Sequence, residues 1–373
     1  MDDCLIIGGG VIGLSLAYEL AGHALRVRVV DQQQPARAAS WAGAGMLPPG
    51  SDAEGADPVQ RLSALSVRLY REWSQELFEA TGIDNGYKPC GAIYIARDDA
   101  TRERQASLFN AWCAGDIDVT PVDASLLREL EPSLLPTSGP TPTTSHLVAA
   151  ESQVRNPRHL KALLAGCRRR GVQIEGGMPV HDFEIRDGRA TAALTPTGRI
   201  VAGNFCLTAG AWSVPLASRL GIEIDVRPVR GQICLVATER PRLQRIVNEG
   251  PRYLVPRGDG LVLVGSTEED VGFDCRTTVG RVQGLLKFAA SLVPELADAE
   301  LQRSWAGLRP ASRDGLPYLG RVARTENCYV AAGHFRHGLR MAPATARVIG
   351  QLMRHEACAV ELTPFCPERH IRV

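Results

Sequence analysis

The sequence predicts an α/β fold in which a domain with a parallel sheet is interleaved with a domain built on a mainly antiparallel sheet. Three observations carry this prediction: a β-α-β pattern at the start, an α-then-β pattern near the middle, and a hairpin pattern after residue 226. The chain has 373 residues, which is enough for roughly two or more hydrophobic cores.

The first β-α-β unit begins within the first residues. Residues 4–7 are a short apolar run, a glycine-rich turn follows, and apolar side chains then recur on one side of a helix. Residues 27–30 form a second buried strand. Strands that are joined through a helix in this way are typical of a parallel sheet.

The middle and the end of the chain repeat this architecture. A helix starts at Pro157, a favourable first helical residue, ends at Gly171 and leads into a strand over residues 172–174. Residues 201–207 predict a strand that enters a turn of small residues, and a strand over 327–332 precedes a helix over 339–353. A loop over 46–58 separates the first unit from a charged helix over 61–81.

The block after residue 226 has a different character. Residues 232–237 and 253–255 alternate like strands, and Arg257 to Gly260 forms a turn into the apolar run 261–264. Antiparallel pairing is expected there. The first domain is therefore predicted to comprise residues 1–83, 146–225 and 314–373, and the second residues 84–145 and 226–313.

A glycine motif lies directly after the first strand and opens the first helix. Gly8 permits a tight turn, Gly10 lets a phosphate approach the backbone, and Gly13 lets helix and strand pack closely. Asp31 ends the second strand, where a carboxylate can accept both ribose hydroxyls. A structural glycine loop is the alternative, but the strand, the helix and the acid together favour a dinucleotide site.

Nicotinamide and flavin cofactors both use such a unit. The segment over residues 39–46 is made mostly of small residues, and it can run along the flavin side of an extended dinucleotide because backbone N–H groups can reach the cofactor there. An ordinary glycine-rich loop would have the same composition. A second glycine motif for a separate nicotinamide is not found, so FAD is favoured.

Three polar residues stand in distinctive surroundings in the C-terminal half. Tyr253 begins the run Tyr-Leu-Val-Pro-Arg, Arg309 lies in Trp-Ala-Gly-Leu-Arg-Pro, and Arg336 lies in Gly-His-Phe-Arg-His-Gly. Together with the glycine motif they make the sequence resemble the D-amino-acid-oxidase-type flavoenzymes, and most closely the glycine oxidases of thiamin biosynthesis. The resemblance covers nearly the whole chain and implies a Rossmann-type FAD-binding domain.

The resemblance also implies roles for individual residues. The position of Arg309 grips the substrate carboxylate, that of Tyr253 donates a hydroxyl to it, and that of Arg336 lies beside flavin and substrate. His337 and Arg340 depart from the pattern, which has a smaller polar and an apolar residue there. The positions expected to hold FAD are Gly8, Gly10, Val11, Ile12, Gly13, Asp31, Gln32, Ala39, Ser40, Ala44, Gly45, Met46, Val180, Gly210, His334, Phe335, Arg336, His337, Gly338, Leu339 and Arg340.

The expected chemistry agrees with these residue types. Hydride transfer from the substrate Cα to flavin N5 needs a rigidly held carboxylate, which the planar fork of a guanidinium binds well. A helix that starts near Gly338 would favour the negative charge of reduced flavin. Related sarcosine oxidases attach flavin to a cysteine in the segment that matches residues 305–318, which has no cysteine here, so the FAD is expected to be non-covalent.

The predicted function is oxidative deamination of glycine and other small amines, such as sarcosine and small D-amino acids. Dioxygen is reduced to hydrogen peroxide and the imine is hydrolysed to glyoxylate or another oxoacid, for synthesis of the thiamin thiazole. One alternative is a D-amino-acid dehydrogenase that passes electrons to a quinone. Another, of a different class, is a flavin-binding or tRNA-modification module.

Composition limits the partners. Lys and Arg number 42 against 41 Asp and Glu, a balance that argues against a nucleic-acid partner. The sequence shows no signal peptide or spanning segment, and its ten cysteines are scattered without metal-ligand spacing. We therefore expect a cytoplasmic enzyme with free thiols, no metal and no stable membrane insertion. The resemblance implies a homotetramer.

Overall fold

The computed structural model describes residues 1–135, 143–239 and 242–370. Its strands in the first half of the chain are β1 (Asp2–Ile7), β2 (Val27–Asp31), β3 (Met46–Leu47), β4 (Lys88–Pro89), β5 (Ala92–Ala96), β6 (Thr120–Val122), β7 (Thr144–Val148), β8 (Ser152–Gln153) and β9 (Gln173–Gly176). The later strands are β10 (Asp182–Arg186), β11 (Arg189–Thr195), β12 (Gly198–Ile200), β13 (Ala202–Leu207), β14 (Val226–Ala237), β15 (Ile246–Glu249), β16 (Arg252–Pro256), β17 (Leu261–Gly265), β18 (Glu300–Ser312), β19 (Tyr318–Arg321) and β20 (Cys328–Ala332).

The α-helices connect and cover these strands. They are α1 (Val11–Gly22), α2 (Ala38–Ala42), α3 (Pro58–Thr81), α4 (Asp99–Cys113), α5 (Ala124–Leu130), α6 (Asn156–Arg169), α7 (Ser213–Arg219), α8 (Val279–Leu292) and α9 (Gly338–Met353). Single 3-10 turns lie at Gly210–Trp212, Pro294–Ala297, Phe335–His337 and Thr363–Phe365. No helix in the described part of the chain is long and apolar enough to cross a membrane.

The six-stranded sheet has the order β19-β20-β13-β1-β2-β9. Its pairs from β20 to β9 are parallel, and β19 is antiparallel to β20. Successive side chains of a strand face opposite sides of the sheet, so Ile6 packs in a core with α1, α3, α6 and α9. Leu5 and Ile7 pack on the other side against α7 and the small sheet β10-β11-β12.

The eight-stranded sheet has the order β18-β14-β17-β16-β15-β5-β7-β6. Strands β15 and β5 are parallel, and the other neighbouring pairs are antiparallel. Helix α8 covers one face, where Leu285 and Phe288 are buried against Cys234 and Val264. The opposite face carries Ile233, which is buried in a separate cluster that includes residues of α4.

The predicted fold class is confirmed, while several element limits differ. Helix α3 begins at Pro58 rather than residue 61, because the Asp57 side chain caps it by accepting a hydrogen bond from the Gln60 N–H at 2.9 Å. Strand β18 was not predicted, since its first half is polar and exposed. The small sheet β10-β11-β12 was missed as well.

The boundaries of the two domains stay a prediction. The six-stranded sheet uses residues 2–31, 173–207 and 318–332, and the eight-stranded sheet uses 92–148 and 226–312. Strand β7 crosses the predicted limit between residues 145 and 146, and it pairs with β5 and β6 over its length. We therefore propose that the second segment of the first domain starts after Val148.

Candidate functional site

A cavity of about 730 Å³ lies between the two large sheets. Its wall includes Ile7 and Val30 of the six-stranded sheet and Ile233 of the eight-stranded sheet. Every residue predicted for the site lines this cavity except Gly13. The fold therefore brings together residues that are up to about three hundred positions apart in the sequence.

The start of α1 forms one end of the cavity. Gly8 has a φ of 116°, and a Cβ there would overlap the carbonyl oxygen of Thr208, so this position requires glycine. Gly10 precedes the helix and has no side chain to cap it. The N–H of Val11 instead donates to the Ser40 hydroxyl at 2.9 Å. The first turn of α1 thus presents backbone N–H groups and the positive end of the helix dipole to the cavity.

Gly13 stands behind this turn rather than in the cavity wall. A Cβ on Gly13 would lie 2.7 Å from Thr208 Oγ1, and the same hydroxyl donates to the Gly8 carbonyl at 2.7 Å. Gly13 therefore allows α1 to approach the ends of β1 and β13. Its contribution to the site is close packing.

Asp31 lies at the end of β2, beside the glycine turn. One carboxylate oxygen accepts a hydrogen bond from the Gly9 N–H and the other from the Gln33 N–H, both at 2.8 Å. Val180 follows β9 and Gly210 follows β13, so both lie near the carboxyl edge of the same sheet. An open helix terminus with a fixed carboxylate beside it fits the diphosphate and ribose of a dinucleotide.

The small-residue segment forms α2 and a short extension to β3, rather than one flat run. Gly45 has a φ of 80°, and a Cβ there would overlap the Val154 carbonyl and lie 2.5 Å from Asn156 Oδ1. The Asn156 amide nitrogen also donates to the Ser40 carbonyl at 2.9 Å. Asn156 therefore holds the segment that carries Ala39, Ala44 and Met46 against the cavity.

A row of residues crosses the eight-stranded sheet on the face toward the cavity. The strand registers place its members opposite one another in the order Trp305, Ile233, Gly265, Tyr253, Asn248, Tyr94 and His146. A Cβ on Gly265 would lie 2.6 Å from the Tyr253 hydroxyl oxygen. The ring of Tyr253 thus leans across Gly265 toward strand β14.

Arg309 lies on β18, which flanks β14 on the side opposite β17. A Cβ on Gly231 would overlap the Arg309 guanidinium, which donates to Ser266 Oγ at 2.8 Å and to the Thr267 carbonyl at 3.2 Å. Burial lowers the pKa of Arg309, and the neighbouring Tyr253 acts in the opposite direction. The guanidinium is therefore a fixed, partly desolvated cation in the wall of the cavity.

Arg336 is held at the edge of the cavity by the 3-10 turn after β20. Its guanidinium donates to Glu268 Oε2 at 3.3 Å and to the Pro251 carbonyl at 3.0 Å. The preceding His334 is buried, its Nε2 lies 3.1 Å from Thr345 Oγ1, and burial lowers the pKa of His334 to about 3. His334 therefore stays neutral at ordinary pH.

The two positions that depart from the family pattern also line the cavity. Burial lowers the pKa of His337, and the charge of Arg340 adds to this effect. Burial likewise lowers the pKa of Arg340 to about 10, which the nearby Glu151 carboxyl counteracts. Arg340 donates to the Pro49 carbonyl at 2.8 Å, so part of its guanidinium is bound to the loop between β3 and α3.

Several cavity residues were not predicted from the sequence. Tyr94, Asn156, Thr208 and Asn248 line the cavity, but each is a common polar residue without a motif of its own. The Ser-Gln-Val-Arg-Asn run, which ends at the first residue of α6, contains no motif that would have pointed to Asn156. Gly231 could have been recognised as a neighbour of Arg309 only if the register between β14 and β18 were known.

Comparisons with known proteins agree with this arrangement. A family model described as "FAD dependent oxidoreductase" (DAO) matches residues 3–352. Glycine oxidase of Pseudomonas putida is 35% identical over 366 residues, which cover 98% of each chain. The bifunctional protein ThiO/ThiG of Synechocystis is 33% identical over 99% of this chain and 54% of its own length.

A solved structure shows the same fold. The crystal structure of glycine oxidase from Geobacillus kaustophilus superposes with a TM-score of 0.93 at 31% identity, covering 100% of this chain and 99% of the other. The predicted family, enzyme class and cofactor are confirmed by these likenesses. The chain belongs to the DAO family of FAD dependent oxidoreductases.

Proposed function

We propose that this enzyme oxidises glycine and other small primary or secondary amines, with dioxygen as the final electron acceptor. The observation that carries the proposal is the Arg309 guanidinium, fixed over Gly231 beside the Tyr253 ring in the cavity wall. Two of the similar proteins are named glycine oxidase and match the chain over almost its full length.

Arg309 and Tyr253 would bind the substrate carboxylate. The bonds to Ser266 and Thr267 fix the orientation of the guanidinium, and its planar fork retains further N–H donors for a carboxylate. Because burial disfavours the charged form of the Arg309 guanidinium, an incoming carboxylate gains binding energy by pairing with it. Glycine offers little besides its carboxylate and amine, so this pair would set its position.

Arg336 would act as a second cation at the edge of the cavity. Its side chain is 30% exposed and its guanidinium is already paired with Glu268, so we expect it to bind a carboxylate less specifically than Arg309. The start of α9 follows at once, where the N–H groups of the first turn have no side-chain cap. A helix terminus of this kind favours negative charge in the cavity.

The residues that would hold FAD are those predicted from the sequence. The α1 turn and Asp31 would bind the diphosphate and adenosine half, and the segment from Ala39 to Met46 would bind the flavin half. Bound FAD supplies the two-electron acceptor that amine oxidation requires. Its attachment is proposed to be non-covalent.

The overall reaction balances without another reactant. Glycine loses two electrons and two protons to give the imine, which water hydrolyses to glyoxylate and ammonia, while dioxygen takes up the electrons and protons as hydrogen peroxide. We further propose that the enzyme is a cytoplasmic homotetramer and that its imine product serves synthesis of the thiamin thiazole. The likeness to the bifunctional protein ThiO/ThiG supports the proposed role in thiamin synthesis.

The decisive test is anaerobic mixing of the yellow protein with glycine, sarcosine and D-alanine. We expect glycine to bleach the flavin absorbance, and turnover in air to release glyoxylate and hydrogen peroxide in equal amounts. Turnover only with an artificial electron acceptor would instead support the dehydrogenase alternative. Absence of bleaching by any of the three amines would refute amine oxidation altogether.

A further inference from the structure

The four residues that follow β17 form a support segment for both arginines of the proposed carboxylate site. The Ser266 hydroxyl and the Thr267 carbonyl accept hydrogen bonds from Arg309 at 2.8 and 3.2 Å. The next residue, Glu268, accepts a bond from Arg336 at 3.3 Å. The positions of the two guanidiniums therefore depend on the conformation of the support segment.

The side chains of the support segment alternate in their partners. Successive side chains of an extended chain point to opposite sides, and Ser266 and Glu268 bind the arginines. Thr267 and Glu269 instead bind each other, because the Thr267 hydroxyl donates to Glu269 Oε1 at 2.7 Å. Glu269 does not line the cavity, so its effect on a substrate must be carried by the support segment.

Glu269 ties the support segment to β14. Its backbone exchanges two hydrogen bonds with Arg230, at 2.9 and 3.0 Å. Its side chain accepts from the Arg230 guanidinium at 3.0 Å and from Gln232 Nε2 at 2.8 Å. These two residues flank Gly231, over which the Arg309 guanidinium lies. One short stretch of β14 therefore fixes Glu269 and borders the carboxylate anchor.

The partners of the Glu269 side chain require a carboxylate. Oε1 accepts from Thr267 and Gln232, while Oε2 lies 3.0 Å from Arg230 and 3.3 Å from Arg281. Burial raises the pKa of Glu269, but hydrogen bonds from Arg230, Thr267 and Gln232 lower it to about 2. The group is thus ionised at ordinary pH. An amide in its place would direct its NH2 group at neighbouring donors in either orientation.

We propose that Glu269 is a positioning residue that sets the affinity of the site for the substrate carboxylate. It is linked to the anchor by two hydrogen bonds in series, from the Thr267 hydroxyl to Glu269 at 2.7 Å and from Arg309 to the Thr267 carbonyl at 3.2 Å. The inference rests on the proposed function, because it assumes that Arg309 binds the carboxylate.

The test uses acetate, a two-carbon carboxylate that lacks the amine. Titration into the FAD-loaded enzyme gives its Kd from the change in flavin absorbance. We expect Glu269→Gln to raise the Kd for acetate by about tenfold or more, because the guanidinium of Arg309 loses its fixed orientation. The KM for glycine should rise by a similar factor, and kcat should change less than KM.

The control is Glu131→Gln, which removes another buried carboxylate. Glu131 accepts the N–H groups of Gln244 and Arg245 at 3.0 and 2.7 Å, and none of these three residues lines the cavity. Both substitutions should lower the unfolding temperature, but only Glu269→Gln should weaken acetate binding. An unchanged Kd in FAD-loaded Glu269→Gln, or an equal loss in both variants, would overturn the inference.

A second variant breaks the same link from its other end. Thr267→Val keeps the carbonyl that Arg309 binds and removes the hydroxyl that donates to Glu269. The Kd for acetate should rise about threefold or more. This variant decides the question if Glu269→Gln fails to fold with FAD, and wild-type acetate binding in Thr267→Val would also overturn the inference.

Arg309→Lys in the same titration separates this inference from the proposed function. If Arg309→Lys weakens acetate binding while Glu269→Gln and Thr267→Val bind acetate like the wild type, only the positioning role is refuted. If Arg309→Lys binds acetate like the wild type and glycine does not bleach the flavin, the proposed function itself is wrong.

Discussion

The guanidinium of Arg309 lies over the backbone of Gly231 on the adjacent strand, in space that any Cβ would fill. The two residues are diagonal neighbours, because Val229 is paired with Arg309 and Gly231 with Gly307. The absence of a side chain at position 231 therefore sets where the positive charge of the site can be.

Substitution of Gly231 by alanine should displace the Arg309 guanidinium without changing its chemical identity. We expect Gly231→Ala to bind FAD and to raise the KM for glycine by about tenfold or more, because the guanidinium loses its position. The control is Gly280→Ala in the exposed first turn of α8, where a Cβ meets nothing within 4 Å. Steady-state kinetics of both variants decide the point, and an unchanged KM in Gly231→Ala would contradict it.

Replacement of Arg309 by lysine tests the fork rather than the charge. A lysine ammonium cannot match two carboxylate oxygens in one plane, so kcat/KM for glycine should fall by about a hundredfold, the range of a lost charged hydrogen bond. FAD absorbance should be unaffected. Arg104→Lys on α4, whose guanidinium donates to the Ala100 carbonyl, should behave as wild type. Wild-type kinetics in Arg309→Lys would count against the carboxylate role.

Asp31→Asn should weaken FAD binding selectively. The amide oxygen can accept only one of the two backbone N–H bonds that Asp31 accepts, from Gly9 and from Gln33, and the carboxylate that would accept the ribose hydroxyls is lost. We expect the Kd for FAD, measured by titration of apoprotein, to rise by about tenfold. Asp84→Asn is the matched control, because Asp84 accepts the Gly86 N–H at 2.8 Å in a turn outside the cavity lining. Equal FAD affinity in the two variants would exclude Asp31 from the cofactor site.

Glu151 should make the stability of the protein depend on pH. Burial raises its pKa from 4.5 to about 7, although the Tyr94 hydroxyl bond and the Arg340 charge work against this. The folded state then binds more protons than the unfolded state between these values, so stability falls as pH rises from about 4.5 through about 7.

Glu151→Gln removes this ionisation. The unfolding free energy of Glu151→Gln minus that of the wild type should be about 2–3 kcal/mol larger at pH 8 than at pH 5. Urea unfolding at the two pH values measures the difference, and Glu129→Gln on the exposed face of α5 is the control. A difference between wild type and Glu151→Gln that is the same at both pH values would refute the prediction.

The sequence allowed prediction of those parts that follow from local order along the chain. The glycine turn, Asp31 and the helix after it obey short-range rules of spacing, and the family pattern supplied Tyr253, Arg309 and Arg336. Asn248 and Gly231 could not be found in this way, because their place in the site depends on which residues of other strands lie beside them. Arg340 was recognised as a departure, but only the structure shows its Pro49 and Glu151 neighbours.

The order of the strands in the six-stranded sheet has a consequence for biosynthesis. Its central pair, β1 and β13, joins residues about two hundred positions apart, and β20 pairs with β13 from more than one hundred positions further along the sequence. Contacts between residues this far apart in the sequence form slowly. During synthesis on the ribosome, the apolar side chains of β1 therefore stay exposed until β13 has been made. Since α9 completes the cavity, the nascent chain cannot form a full cofactor pocket until residues 338–353 have been synthesised.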